Sequence, residues 1–172
     1  FISTSSELFR NCFDGDFDEF AQLFENHCRR LILKENRGGS RIFEFESNEI
    51  FQIPANTQKI VHSVGVGDAY NVSFILKYNL LGVKEAGYLS SWLASEYAST
   101  TFIDDLKTNV KRILKLEMNE IISIGGCSLP WEKRNKHSIY IAAPDFDYID
   151  IKMIDLLVES LKYHNFLPRR PI

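Results

Sequence analysis

The chain is 172 residues long, 45% hydrophobic and 25% charged, with a formal net charge of −3, the composition of one ordinary globular domain with room for a fragment of a second. The slight acidity argues against a nucleic-acid binder, whose footprint is a basic patch or stripe, and no apolar run approaches the roughly 18 residues that span a bilayer. Cys12, Cys28 and Cys127 form an odd set without CxxC spacing, which fits a reducing, cytoplasmic setting better than a disulfide scaffold.

The opening FISTSSELFR lacks both an initiating Met and the basic-then-apolar order of a signal peptide. Because it begins as if midway through a strand, it is expected to belong to a fragment of something longer. From Asp16 to Arg30, apolar residues at Phe17, Phe20, Phe24 and Cys28 predict an amphipathic helix with Asp14, Asp16, Asp18 and Glu19 crowded at its start. Asp14, Asp16, Asp18 and Glu25 also occupy positions 1, 3, 5 and 12 of a calcium loop, but Glu19 stands where that loop needs glycine, so the ligands do not converge.

LILK (31–34) reads as a buried strand, and RIFEF (41–45) and EIFQI (49–53) alternate apolar and polar residues around SN, like a hairpin. KIVHSV (59–64) is expected as a further strand end leading into SVGVGDA. Helices are predicted from 68 to 81, stopped by Gly82, from 84 to 99 and from 104 to 117, the last with Leu106, Val110, Ile113 and Leu114 on one face. EIISIGG (120–126) is expected as one more strand, and the polar CSLPWEKRNKHS as a linker. IYIAAP (139–144) reads as a strand closed by proline, and Ile151, Ile154, Leu157, Val158 and Leu161 mark a final helix. A strand and a helix cannot bury a core alone, so this tail either docks on the main domain or begins a truncated one.

The chemistry concentrates at VHSVGVGDAYNVSF (61–74). A glycine turn that opens into a helix presents several backbone N–H groups toward one point, with the helix N-terminus adding favourable potential for an anion. Gly65 and Gly67 would let a phosphate approach the bare backbone. The alternative is a plain strand-to-helix turn with Asp68 as its cap. A carboxylate beside an anion cradle repels the anion, however, which makes sense if Asp68 takes a proton from a substrate hydroxyl while the amides steady the transferring group. A dinucleotide fingerprint fails because Tyr70 stands where GxGxxG needs glycine, and no GK[ST] follows for a Walker A loop. His27, His62, His137 and His164 lack HxxxH or CxxC partners, which argues against zinc. His62, close to the turn, reads as a strand residue satisfied by backbone or as a site residue.

SVGVGDAYNVSF resembles the DTxGAGDxFxxGF signature of PfkB/ribokinase-type carbohydrate and nucleoside kinases, and LILKENRGGSRIF resembles that family's strand and glycine loop. The likeness covers roughly residues 1–117 and implies the C-terminal, nucleotide-side half of a ribokinase-like three-layer α/β/α domain. It implies Asp68 as catalytic base, Gly65, Val66 and Gly67 as anion hole, and Lys34, Asn36 and Gly39 on the nucleotide-side loop. Ser91 and Ser95 would border the adenine, and Glu7 would remain from the acidic motif that organises magnesium. ATP and Mg2+ are the implied cofactors, a sugar or nucleoside the implied substrate, and a homodimer a possible assembly. The sequence departs from the family at His62 and Ser63 (usually Asp-Thr), Val66 (alanine), Lys34 (threonine) and Asn36 (glycine), so a degenerate kinase fold that only binds nucleotide or nucleoside is the alternative. The tail SIYIAAPDFDYIDIKMIDLLVESLKYHNFLPRRP resembles the start of nucleoside 2-deoxyribosyltransferases, which would put Tyr140, Ala143, Pro144 and Phe146 beside a nucleoside pocket. The expected organisation is a kinase-like half over 1–124, a linker over 125–138 and the deoxyribosyltransferase-like start over 139–172.

Overall fold

Four strands, β1 (Ile2–Ser3), β2 (Arg30–Lys34), β3 (Ser40–Glu44) and β4 (Glu49–Ile53), form one sheet in chain order. The computed structural model describes residues 1–142 and 150–170, and the chain divides into two units, Phe1–Ser128 and Leu129–Ile172. β1 runs parallel to β2, whereas β2, β3 and β4 form an antiparallel meander with Leu31 opposite Phe43 and Ile42 opposite Phe51. Leu31, Ile32 and Leu33 are all buried, as a strand covered on both faces requires. Asn48, at φ 55°, ends the β3–β4 turn in the left-handed conformation that asparagine tolerates.

On one face of the sheet, Ile32, Ile42 and Ile53 pack against Tyr70, Phe74 and Ala86 from α3 (Val66–Leu81) and α4 (Val83–Ala98). Each isoleucine, and Phe74, contributes about 1.5–3 kcal/mol by this burial relative to exposure. The other face carries Arg41, whose guanidinium lies 4.1 Å from the ring centre of Phe17. Phe17 belongs to α2 (Phe17–Glu25), and its ring joins Phe9 of α1 (Glu7–Cys12), Phe13 and Phe20 in an aromatic cluster. α5 (Ile103–Ile113) and α6 (Met118–Ile124) close over the far side of α4 through Ile113, Ile121 and Leu89.

Four expected elements differ. The helix expected to reach Arg30 ends at Glu25, because Arg30 already pairs with Glu44 in the sheet. KIVHSV is not a strand: the Val61 and His62 amides donate to Ala98 O, at 2.8 and 3.2 Å, in place of a sheet ladder. EIISIGG is helical. Glu117 and Glu120 form a capping box, and Ile121 alone of the apolar residues there is buried, the one-sided pattern of a short helix rather than strand alternation. The helix expected over 104–117 ends earlier, at Ile113, and α6 begins only at Met118.

Within the first unit, Cys127 pairs with Ala55 through two backbone hydrogen bonds of 2.7 and 2.8 Å. The second unit contains α7 (Trp131–Arg134), β5 (Ser138–Tyr140), α8 (Ile151–Tyr163) and β6 (Leu167–Arg169), with β5 and β6 parallel. The stretch expected as a linker is thus divided between the two units. Asn165 donates to Trp131 O at 2.7 Å, and Asp150 caps α8 by accepting from the Lys152 amide.

Candidate functional site

The glycine turn stands at the start of α3. Gly65 adopts φ 76°, ψ −3°, a left-handed conformation that swings the chain into the helix, and contributes no side-chain cap. The first intrahelical hydrogen bond runs from the Ala69 amide to Gly65 O, at 2.9 Å. The amides of Val66, Gly67 and Asp68 are therefore the orphan donors of the helix end, and no described side chain caps them. Asp68 is exposed in this first turn, where a carboxylate also gains from the helix dipole. The N-cap position belongs to Gly65, so Asp68 stands three residues into the helix and does not cap it with its side chain.

Lys34 arrives from the end of β2. Its Nζ donates to Asn71 Oδ1 at 3.1 Å and to Gly67 O at 3.4 Å. The same nitrogen stands 3.0 Å from where a side chain at Gly67 would begin, so it lies over the first turn of α3. Burial pushes the Lys34 ammonium below the ordinary lysine value, and the neighbouring Asp68 carboxylate partly opposes that shift. An ammonium has three N–H groups, so two are committed to the protein and one can reach a ligand. Asn71, one helical turn beyond Asp68, was not singled out from the sequence, although spacing of three residues on a helix could have indicated it.

The remaining expected residues are placed less centrally. Asn36, at φ 54°, opens the short 3-10 turn Asn36–Gly38. Gly39 has a packing reason for being glycine: at φ 103° any Cβ would run into the Ile53 carbonyl oxygen. Ser91 donates its hydroxyl to Pro54 O at 2.8 Å, fastening α4 to the end of β4, and Ser95 is half-buried one turn along. Glu7 is exposed at the start of α1. Tyr140 is exposed on β5 opposite Arg169, while Ala143, Pro144 and Phe146 lie outside the described residues. The structure thus brings Lys34 to the glycine turn and Asp68, and gives Gly39 and Ser91 structural tasks.

His62 donates from Nε2 to Thr100 O at 3.0 Å, since a carbonyl can only accept. Its ring meets Tyr97 edge-on with centroids 5.0 Å apart, and the Tyr97 hydroxyl abuts Gly65, 2.8 Å from where a Cβ would stand. Beside them opens a cleft of about 370 Å³ lined by His62, Val64, Tyr97, Phe102, Ile103 and Leu106, among others. Among the described residues, no three His, Cys, Asp or Glu side chains converge as a metal site, and no helix is long and apolar enough to cross a membrane.

No family model matches the chain, and no curated protein matches it either. Among solved structures, the chain is similar to the nucleoside kinase of Methanocaldococcus jannaschii, an archaeal member of the ribokinase family, with 20% identity and a TM-score of 0.44. That alignment covers 59% of this chain and 34% of the kinase, so the chain spans about a third of that protein's length.

Proposed function

We propose that the first unit is the nucleotide-side half of a ribokinase-like α/β/α domain, and that it is part of an ATP-dependent kinase that transfers the terminal phosphoryl group of ATP to a hydroxyl of a sugar or nucleoside, the fragment alone being inactive. The observation that carries this reading is the meeting of three uncapped amides, the Asp68 carboxylate and the Lys34 ammonium at one helix end. The donors suit a phosphate: backbone N–H groups, one cation and the positive end of a helix dipole. Mg2+ binds mainly through substrate phosphates and water with one or two carboxylates, so it needs no protein cage here, and Glu7 is the carboxylate that the resemblance offers. ATP with magnesium, when bound, supplies the transferable group.

In this reading Asp68 accepts the proton of the acceptor hydroxyl, and its exposure leaves room for that hydroxyl. The amides of Val66, Gly67 and Asp68 hold negative charge on the group in transit without reorganising, because the helix fixes their directions. Lys34 adds a positive charge from the side, positioned by Asn71. Positioning and charge stabilisation of this kind account for most of the catalysis in phosphoryl transfer.

The test is Asp68→Asn in the intact protein, assayed with Mg-ATP against a panel of sugars and nucleosides. Turnover is expected to fall by about 10²–10⁴-fold while nucleotide affinity stays near the wild-type value. An unchanged rate would remove Asp68 from the reaction. Binding of nucleotide or nucleoside without transfer by the wild type would instead favour a regulatory binding module built on the same fold.

A further inference from the structure

Residues 54–65, between β4 and α3, form a strap that delivers the glycine turn, and the end of α4 holds it. Gln58 Nε2 donates to Glu96 Oε1 at 2.8 Å, the Val61 and His62 amides share Ala98 O, and His62 Nε2 reaches Thr100 O at 3.0 Å. Tyr97 lies between Glu96 and Ala98 and sets its hydroxyl against Gly65 itself. The turn therefore takes its position from α4 as well as from α3.

Glu96 is the charged member of this set, and its carboxylate is almost completely buried. The same Oε1 that accepts from Gln58 also accepts from Arg112 Nη2 at 3.0 Å, and the arginine side chain is largely exposed on α5. A buried carboxylate is costly without partners. Two donors on one oxygen thus lock three segments together: the strap, α4 and α5.

We propose that Glu96 is a positioning residue for the glycine turn: by holding Gln58 it sets where the Val66–Asp68 amides and the Asp68 carboxylate stand. The proposal rests on the phosphotransfer reading and adds to it a residue with no direct contact to the reacting groups. Misplacement of about 1 Å in such a constellation costs on the order of 10²-fold in rate, so a distant anchor can matter for turnover.

Two variants of the intact protein separate positioning from mere packing. Gln58→Ala removes one donor from the partly buried strap and leaves Glu96 paired with Arg112, so the fold survives; Glu96→Gln keeps an acceptor oxygen for Gln58. Gln58→Ala is expected to speed hydrogen exchange at the Val61 and His62 amides by roughly three- to tenfold, the value of one net hydrogen bond, and to lower kcat with nucleotide KM held. Glu96→Gln is expected to keep both exchange protection and kcat close to the wild type, whereas Glu96→Ala loses both. Unchanged exchange in Gln58→Ala, or equal losses in Glu96→Gln and Glu96→Ala, would overturn the proposal. If the wild type transfers no phosphoryl group, the kinase reading fails, and faster exchange extending to the Ala69 amide, which donates to Gly65 O, in Gln58→Ala still supports the positioning role while unchanged exchange still refutes it.

Discussion

Replacing Gly65 by alanine asks two things of the turn at once, and the structure lets them be separated. The backbone at φ 76°, ψ −3° costs an L-residue about 1–2 kcal/mol. The new methyl would also stand 2.8 Å from the Tyr97 hydroxyl, with the next ring atoms at 3.4 Å. Tyr97 can yield only by leaving its edge-on contact with His62, and a side chain pushed off its rotamer costs about 0.5–1.5 kcal/mol. Gly65→Ala should therefore destabilise the protein by about 2–3 kcal/mol. In a Tyr97→Phe background the hydroxyl is gone and the closest approach becomes ordinary contact, so the same substitution should cost about 1–2 kcal/mol. Urea denaturation at constant m-value measures each cost, and the double-mutant cycle isolates a coupling of about 1 kcal/mol between the two sites. Zero coupling would refute the steric half of the reasoning, and a single-mutant cost under about 0.5 kcal/mol would refute the left-handed turn.

Gly39→Ala should be harsher than Gly65→Ala, above about 3 kcal/mol by the sum of strain and overpacking, because its obstacle is the Ile53 backbone; a milder loss in denaturant would contradict that packing. Tyr70 is buried against Ser40 Oγ at 2.8 Å, and burial lifts its phenol to about 12 from 10.0, opposed by that hydrogen bond. The unfolded chain releases this proton first, so stability present below pH 10 should drain away between pH 10 and 12, by about 2–3 kcal/mol. Tyr70→Phe should lack that share of alkaline loss in pH-dependent melts, and an identical alkaline limb in both proteins would contradict the assignment. Lys34 has the opposite sign: its ammonium is depressed by burial, with Asp68 opposing, so the unfolded chain binds the proton more tightly. Wild type should gain stability relative to Lys34→Met as pH rises from the depressed folded value toward 10.5, and a difference independent of pH across that range would tell against the buried placement.

Local pattern made the meander legible. EIFQI gave β4 with its observed bounds, and the apolar run LILK gave most of β2. Gly82 was readable as a stop because one residue ends α3 and begins α4. KIVHSV misled because β-branched residues favour strands only where a neighbouring strand is available, and here Ala98 O of α4 takes the amides. EIISIGG misled because the carboxylate cap at Glu117 outweighed the isoleucines. At the site, the glycines and Asp68 form one sequence-local feature, so they could be read together. Lys34 meets them across more than thirty residues, and Tyr97, Gln58 and Glu96 carry no local mark of their task, since long-range packing alone defines it.

The one-residue joint between α3 and α4 has a kinetic consequence. Two helices that meet across Gly82 close with little loop entropy, as does the tight β3–β4 turn, so both can form early in folding. The link from Gln58 to Glu96 spans 38 residues and becomes favourable only after those pieces have met. Substitutions in the strap should then quicken unfolding and leave the folding rate nearly unchanged, the behaviour of contacts absent from the transition state; a stopped-flow chevron of Gln58→Ala with its change in the folding limb would reverse that order. The strap that delivers the glycine turn is thus assembled late and released first.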